Sequence, residues 1–424
     1  MKTEAAPETQ PRTAPASDRL RRALTHALLV FLGVRIGLAV VAVLATALLP
    51  SGPNPPLSAI GWDTAPITPG WHNLVTAWER FDGLWLLGIA GEGYVPEVPD
   101  VTSGNAVFFP LYPMAIRGLS YLLGGHPLAA ALLISNLAFL GALVALYVLT
   151  DIEWGETVAR RSTLYLALLP TAYFFLAPYT ESLFLLLVLL AFLAARRHRW
   201  LLAGLAGSGA ALTRNLGAVV GLALLFEGVH QAWERRMSGD AETPGPASRL
   251  GWWARRMWRP AGAALLTVAG TGAYLLFWWK LAREPLAPLT QQASWQREFE
   301  LPWVTLWLGT KEAFRWIGQY PGGYHLMDWL LVAPALVAAL WVAVRARLSY
   351  AVYTWVSLIV PLSFIFAPRP FMSLPRFLLP LFPLVWAPAL WAERRPGVHT
   401  VMVAASAAGL GVMTVLFVTW YFVF

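Results

Sequence analysis

The chain has 424 residues, of which 58% are hydrophobic and 13% charged, with a mean hydropathy of +0.57. That composition excludes a soluble globular enzyme and points to an integral membrane protein whose side chains are buried mostly by the bilayer. The absence of cysteine excludes disulfides and thiolate metal sites, and the net charge of +8 is read as membrane topology and anionic-lipid contact, not as a nucleic-acid footprint.

Residues 1–17, rich in Pro, Ala and Thr, read as a disordered cytoplasmic tail, and 18–424 as a single integral-membrane domain. The apolar run 23–49 is longer than a signal-peptide core and is followed by many more, so it reads as a retained first helix, with Arg35 inside it in a structural role. Further spans are expected at 127–150, 162–177, 180–195, 200–214, 216–231, 260–281, 326–344, 348–366, 377–392 and 398–421. The fold class is therefore all-α and polytopic, with about eleven transmembrane helices.

Orientation follows the arginines, because basic residues beside helix ends stay cytoplasmic during insertion. Clusters at 19–22, 159–161, 196–199, 235–236, 255–259, 345–347 and 394–395 assign those ends to the cytoplasm. The outer loops are then 50–126, 282–325 and 367–376, and 232–259 is the main cytoplasmic loop. Residues 108–125 cannot be a crossing without putting Arg160 and Arg161 outside, so they read as juxtamembrane helices of the first outer loop. Three lysines against 28 arginines suggest a GC-rich bacterial genome and hence a plasma-membrane location.

The first charged outer stretch is "RFDGLWLLGIAGEGYV", 80–95, which keeps Arg80, Asp82 and Glu92 in an apolar setting. A carboxylate there loses hydration and persists only if paired or used. Gly83 would let another molecule approach Asp82; the alternative is that Asp82 caps a short helix. "NAVFFPLYP", 105–113, sets Phe108, Phe109 and Tyr112 among prolines, either as interfacial anchors or as the wall of an isoprenoid groove. "PTAYFFLAPYTESLF", 170–184, breaks two spans and puts Tyr179, Thr180 and Glu181 at the turn, as a capped helix start or a substrate contact.

"ALTRNLG", 211–217, makes a hairpin whose tip is Arg214 and Asn215; a guanidinium fork suits phosphate oxygens, and an unpaired cation at that depth is expensive. The loop 282–325, with Trp295, Trp303, Trp307 and Trp316 among charges, reads as an amphipathic helix on the membrane. Arg369 and Arg376 flank the last outer loop, as snorkelling side chains or phosphate contacts. There is no metal-ligand cluster, no Ser/His/Asp arrangement and no phosphate-cradling glycine motif, so no metal or cofactor is expected.

One carboxylate and several arginines on one membrane face suit group transfer with a phosphate leaving group, which needs positive charge and no general acid. The attacking hydroxyl must lose its proton, for which one aspartate suffices, and a single displacement inverts the anomeric carbon. The ordered run "FDGLWLLGIAGEGY", "FFPLYP", "PTAYFFLAPYTESLF", "ALTRNLG" and "LPRFLLPLFP" resembles the family of the second mannosyltransferase of GPI-anchor assembly and its bacterial relatives, within the C-type integral-membrane (GT-C) glycosyltransferases. The match covers somewhat over a third of the chain, and its individual motifs are short. The resemblance implies Asp82 as catalytic base and Arg214 at the donor phosphate. Glu92 stands one place later than the family's "IAExGY" pattern puts its acid, and Asn215 follows Arg214 in a loose match to "Arg-Ser-Asn-Gly".

The expected function is transfer of a hexose, mannose by the resemblance, from a polyprenyl-phosphate sugar to a glycan, glycolipid or protein acceptor on the extracytoplasmic face. Expected donor and substrate contacts are Arg214, Asn215, Arg369, Arg376, Tyr179, Glu181 and Glu92, with Phe108, Phe109 and Tyr112 along the lipid. Two other readings are a transporter or flippase of a lipid-linked sugar, and a non-catalytic subunit of cell-envelope assembly. The first would show inverted repeats and paired broken helices at mid-membrane; no repeat is visible in the sequence, and its charges collect at one face.

Overall fold

The computed structural model describes residues 16–52, 68–95, 104–238, 249–315, 317 and 323–421. Most of the expected tail and parts of three expected loops, including Trp316, lie outside the described residues. The described residues are mostly helical: α1 Ala16–Leu48, α2 Asn73–Thr76, α3 Asp82–Glu92, α4 Leu111–Leu122, α5 Pro127–Trp154, α6 Glu156–Leu168, α7 Glu181–Arg196, α8 Trp200–Thr213 and α9 Ala218–Met237. There follow α10 Arg249–Ala282, α11 Ala287–Thr290, α12 Pro302–Arg315, α13 Gly323–Arg345, α14 Leu348–Leu362, α15 Leu374–Phe377, α16 Trp386–Glu393 and α17 Pro396–Val418.

Among the described residues six helices are long and apolar enough to cross a membrane, and α8 and α14 are shorter apolar helices. The chain is thus an all-α, multi-pass membrane protein, as composition requires. Three short helices, α2 to α4, occupy the connection after α1, where juxtamembrane helices are expected.

Two expected spans are broken. The one at 377–392 becomes α15, a 3₁₀ turn at Phe382–Val385 and α16, because Pro380 and Pro383 each lack an amide proton and clash with the preceding turn. The one at 162–177 stops at Leu168, ahead of Pro170, and the chain continues as a 3₁₀ turn at Ala172–Phe175. Non-helical backbone survives at membrane depth only when protein covers it. Here Tyr173, Phe175, Leu176 and Ala177 are fully buried, and Tyr173 and Phe174 pack on Phe417 of α17 at 4.8 and 5.7 Å.

Several of the arginine-rich helix ends are tied together by ion pairs. Arg19 and Arg22 pair with Asp151 and Glu156 across the α5–α6 turn, Arg196 pairs with Glu153, and Arg347 with Glu227 and Glu234. Arg35 sits with its guanidinium 5.0 Å over the Trp78 ring, a packing role. In the connection after α10, α12 exposes Trp303, Trp307 and Phe314, which share one face at helical spacing, as an amphipathic helix lying on a membrane would.

Candidate active site

The site begins with the anchoring of the segment before α3. Arg80 is buried; its Nε donates to the Val418 carbonyl at 3.0 Å and its Nη1 to the carbonyls of Thr76 and Glu79 at 2.9 Å. The guanidinium also lies 4.5 Å over Trp420, and Phe81 packs on Phe417 and Trp420 at 5.8 and 5.3 Å. Arg80 and Phe81 therefore clamp the segment to the end of α17. Phe81 takes φ +50°, a conformation that a side chain pays for and that this packing holds. Asp82 follows directly as the first residue of α3, and it makes no capping hydrogen bond, so the helix-cap reading does not apply.

Gly83 serves a different purpose from the one expected. A Cβ there would meet Pro178 Cγ at 3.1 Å and its carbonyl oxygen at 3.4 Å. The missing side chain makes room for the 178–180 turn of the protein itself, bringing α7 against Asp82.

Four charged side chains from four segments then join. Arg376 of α15 donates from Nη1 to Asp82 Oδ2 and from Nε to Glu181 Oε1, and Arg214 donates from Nη1 to the same Glu181 oxygen at 2.5 Å and to Thr180 Oγ1 at 3.1 Å. Glu181 is fully buried, and the side chains of Arg214 and Arg376 are 7% and 12% exposed, while Asp82 is 26% exposed. Asp82 is thus the most accessible member of a network that is otherwise inside the protein. Arg214 is also packed between the Phe184 and Phe377 rings, at 5.9 and 5.3 Å. Its position depends on Gly217, where a Cβ would lie 2.3 Å from the Ala210 carbonyl and force the hairpin off α8.

The sequence reading missed one cation. Arg297 donates to Ser373 Oγ at 2.9 Å and to the Met372 carbonyl at 3.3 Å, just ahead of α15. It is brought there by a two-residue antiparallel pairing of β1, Glu298–Phe299, with β2, Phe364–Ile365. Burial pulls its guanidinium down to about 10, against the field of Asp82, which opposes that shift. Its signal in "SWQREFE" was submerged in an amphipathic pattern; only pairing between distant loops places it.

Several expected contacts stand elsewhere. Glu181 and Tyr179 are buried: Glu181 is taken up by the two arginines and the Tyr179 hydroxyl donates to the Arg80 carbonyl at 3.0 Å, so both position the site. The guanidinium of Arg369 forms a bidentate pair with buried Asp328 at 2.6 and 2.7 Å, which occupies the fork intended for phosphate. Glu92 is exposed at the far end of α3, roughly 15 Å along the helix from Asp82. Asn215 is exposed, and its Oδ1 accepts from the Leu216 amide at 2.8 Å, stabilising the turn.

Of the three aromatics, only Phe108 faces the site's surroundings, stacked 5.8 Å from Trp85 and edge-on to Trp295 at 5.8 Å. Trp85 stands three residues after Asp82, on the same helical face. Phe109 is turned onto Tyr274 at 4.7 Å, and Tyr112 is fully buried with its hydroxyl on Ser135 and the Ala131 carbonyl. Their borders on a lipid groove are corrected accordingly: both fill the core. Among the described residues no three His, Asp or Glu side chains cluster as a metal site needs.

No protein-family model matches the chain, and no curated protein sequence matches it. Solved structures do resemble it in the course of the chain. ArnT from Cupriavidus metallidurans bound to undecaprenyl phosphate is 15% identical with a TM-score of 0.45, over 96% of this chain and 77% of that one. The Archaeoglobus fulgidus oligosaccharyltransferase in complex with Zn and sulfate is 11% identical with a TM-score of 0.40, over 92% of this chain. The same organism's AglB in complex with an inhibitory peptide and a dolichol-phosphate is 11% identical with a TM-score of 0.41, over 93% of this chain. The chain spans about half the length of these oligosaccharyltransferases, 53% and 56%. At such identities and scores the likeness assigns no residue, and the site rests on its own geometry.

Proposed function

We propose that the chain is an integral-membrane glycosyltransferase that moves a hexose from a polyprenyl-phosphate sugar to an acceptor hydroxyl, at the extracytoplasmic face of the plasma membrane. The observation that carries this reading is Arg376 bridging Asp82 to Glu181, with Arg214 on the other side of Glu181. Counting Arg297, three cations surround two carboxylates, and the surplus positive charge suits a phosphate that departs as an anion.

In the proposed reaction the acceptor oxygen attacks the anomeric carbon, its proton passes to Asp82, and the bond from that carbon to the phosphate oxygen breaks with inversion. The polyprenyl phosphate leaves against Arg376, with Arg214 and Arg297 adding positive field. Without donor, Arg376 holds the carboxylate that serves as base; the donor phosphate would compete for Arg376 and release Asp82 to the hydroxyl. Glu181 keeps both arginines charged and aimed in a buried place. Phe108, Trp85 and Trp295 form the apolar flank on which a sugar face or the first isoprene units would lie.

Mannose as the sugar is proposed on the motif resemblance to the second GPI mannosyltransferase family. The test is radiolabelled transfer in proteoliposomes from polyprenyl-phosphate mannose, with mass spectrometry of envelope glycans and lipids from a deletion strain. Loss of a mannosylated product in the strain and transfer in the vesicles support the reading. Transbilayer movement of the donor with no transfer would replace it by the flippase reading.

A further inference from the structure

At the opposite end of α7 from the site, a cavity of about 350 Å³ opens between the α7–α8 turn, the end of α9 and the start of α10. Fifteen residue steps of helix separate Glu181 from Arg196, so the two places lie roughly 22 Å apart along α7. Arg235, Arg255, Arg256 and Arg259 line the cavity together with His198, and no carboxylate is among its lining residues. The connecting residues 239–248 lie outside the described residues.

Elsewhere at this end Arg196, Arg347, Arg22 and Arg160 pair with glutamates. The four cavity arginines have none among the described residues. Arg256 is stacked 4.2 Å over Trp252, and its Nε is buried without a hydrogen-bond acceptor. Arg235, Arg255 and Arg259 are exposed, so the cost falls on the buried Arg256 Nε, and an anion drawn in by the four like charges would supply its missing acceptor. The volume stands at the small end of ligand pockets, enough for a phosphate headgroup.

The surroundings select the source of that phosphate. Trp258 at the cavity is 63% exposed and nearby Trp233 is 54% exposed, the amphipathic rings that settle at headgroup depth. Beyond the cavity along α8 and α10, Leu201, Leu205 and Leu265 are 69%, 52% and 72% exposed, an apolar surface for acyl chains. We infer that this arginine cavity binds the phosphate headgroup of an anionic lipid of the bilayer, with its chains lying against α8 and α10.

The test is native mass spectrometry of the full chain, purified in neutral detergent, titrated with phosphatidylglycerol, phosphatidylcholine or inorganic phosphate. Phosphatidylglycerol is expected to be retained at least tenfold better than phosphatidylcholine. R255Q/R256Q/R259Q is expected to lose that preference, while R394Q/R395Q, which removes two arginines outside the cavity, keeps it. If thermal unfolding shows the triple variant misfolded, R256Q alone is used, with a threefold or larger loss expected. Unchanged retention in the variant, or equal retention of the two lipids, overturns the site. Inorganic phosphate binding alone at these residues and displacing phosphatidylglycerol overturns the lipid assignment.

Discussion

The two ends of α7 carry the same chemistry to opposite effect. At its last turn Arg196 enters a network in which buried Glu227 is met by Arg347, Arg196, Ser349 and Gln231, while Arg347 also holds Glu234 and Glu153 takes Arg196 and Tyr350. Three carboxylates there outnumber two guanidiniums, and hydroxyl and amide donors fill the remaining lone pairs. At its first turn Glu181 enters a network of two carboxylates and two arginines to which nearby Arg297, in the field of Asp82, adds one surplus cation, and one carboxylate, Asp82, is left partly exposed. A network satisfied from within is a strut. One whose charge closes only with an added anion, and whose edge reaches solvent, has the form of a site.

The sharpest way to break the contrast is Asp82→Asn, which keeps the shape and removes the proton acceptor. Transfer in proteoliposomes is expected to fall by about 10² to 10⁴, the usual worth of a general base, with the variant still inserting and folding because Arg376 keeps Glu181. Wild-type turnover in that variant would take Asp82 out of the mechanism. Glu181→Gln comes next: two buried guanidiniums lose their shared anion, and a loss of about 3–5 kcal/mol in unfolding free energy is expected, with donor affinity also reduced.

Arg347→Gln at the other end tests the strut. Glu227 keeps Ser349 at 2.6 Å and Gln231 at 2.9 Å, so a smaller loss of about 1–3 kcal/mol is expected, with transfer per folded molecule unchanged. A fall in transfer at constant folded fraction would mean the two ends are coupled. The smallest effect is expected for Tyr112→Phe, which removes a buried hydroxyl bonded to Ser135 and costs about 1 kcal/mol in thermal unfolding. A raised KM for the lipid donor in that variant would return Tyr112 to the groove.

Asp82, Glu181, Arg214 and Arg376 were each visible as charges stranded in apolar sequence, because desolvation makes such residues rare unless paired or used. Their division of labour was not visible. Arg369 and Arg376 look alike in "APRPFMSLPR", yet Asp328, 41 residues before Arg369, claims the first, and Asp82, 294 residues before Arg376, claims the second. Glu92 and Asp82 share one short helix, but its length carries them to opposite ends. Hydropathy shows 377–392 as one span because it averages over prolines that interrupt the hydrogen-bond ladder.

By itself the amino-acid sequence determined that this chain is a bundle of membrane helices with arginine-rich helix ends and a few charges stranded in apolar segments. Hydropathy and helix period are local properties, and the bilayer reads them segment by segment. Which stranded charges meet was decided only by the tertiary structure. Pairing between Asp82 and Arg376, or the arrival of Arg297 through a two-residue strand pair, depends on how distant helix ends pack, and nothing local encodes it.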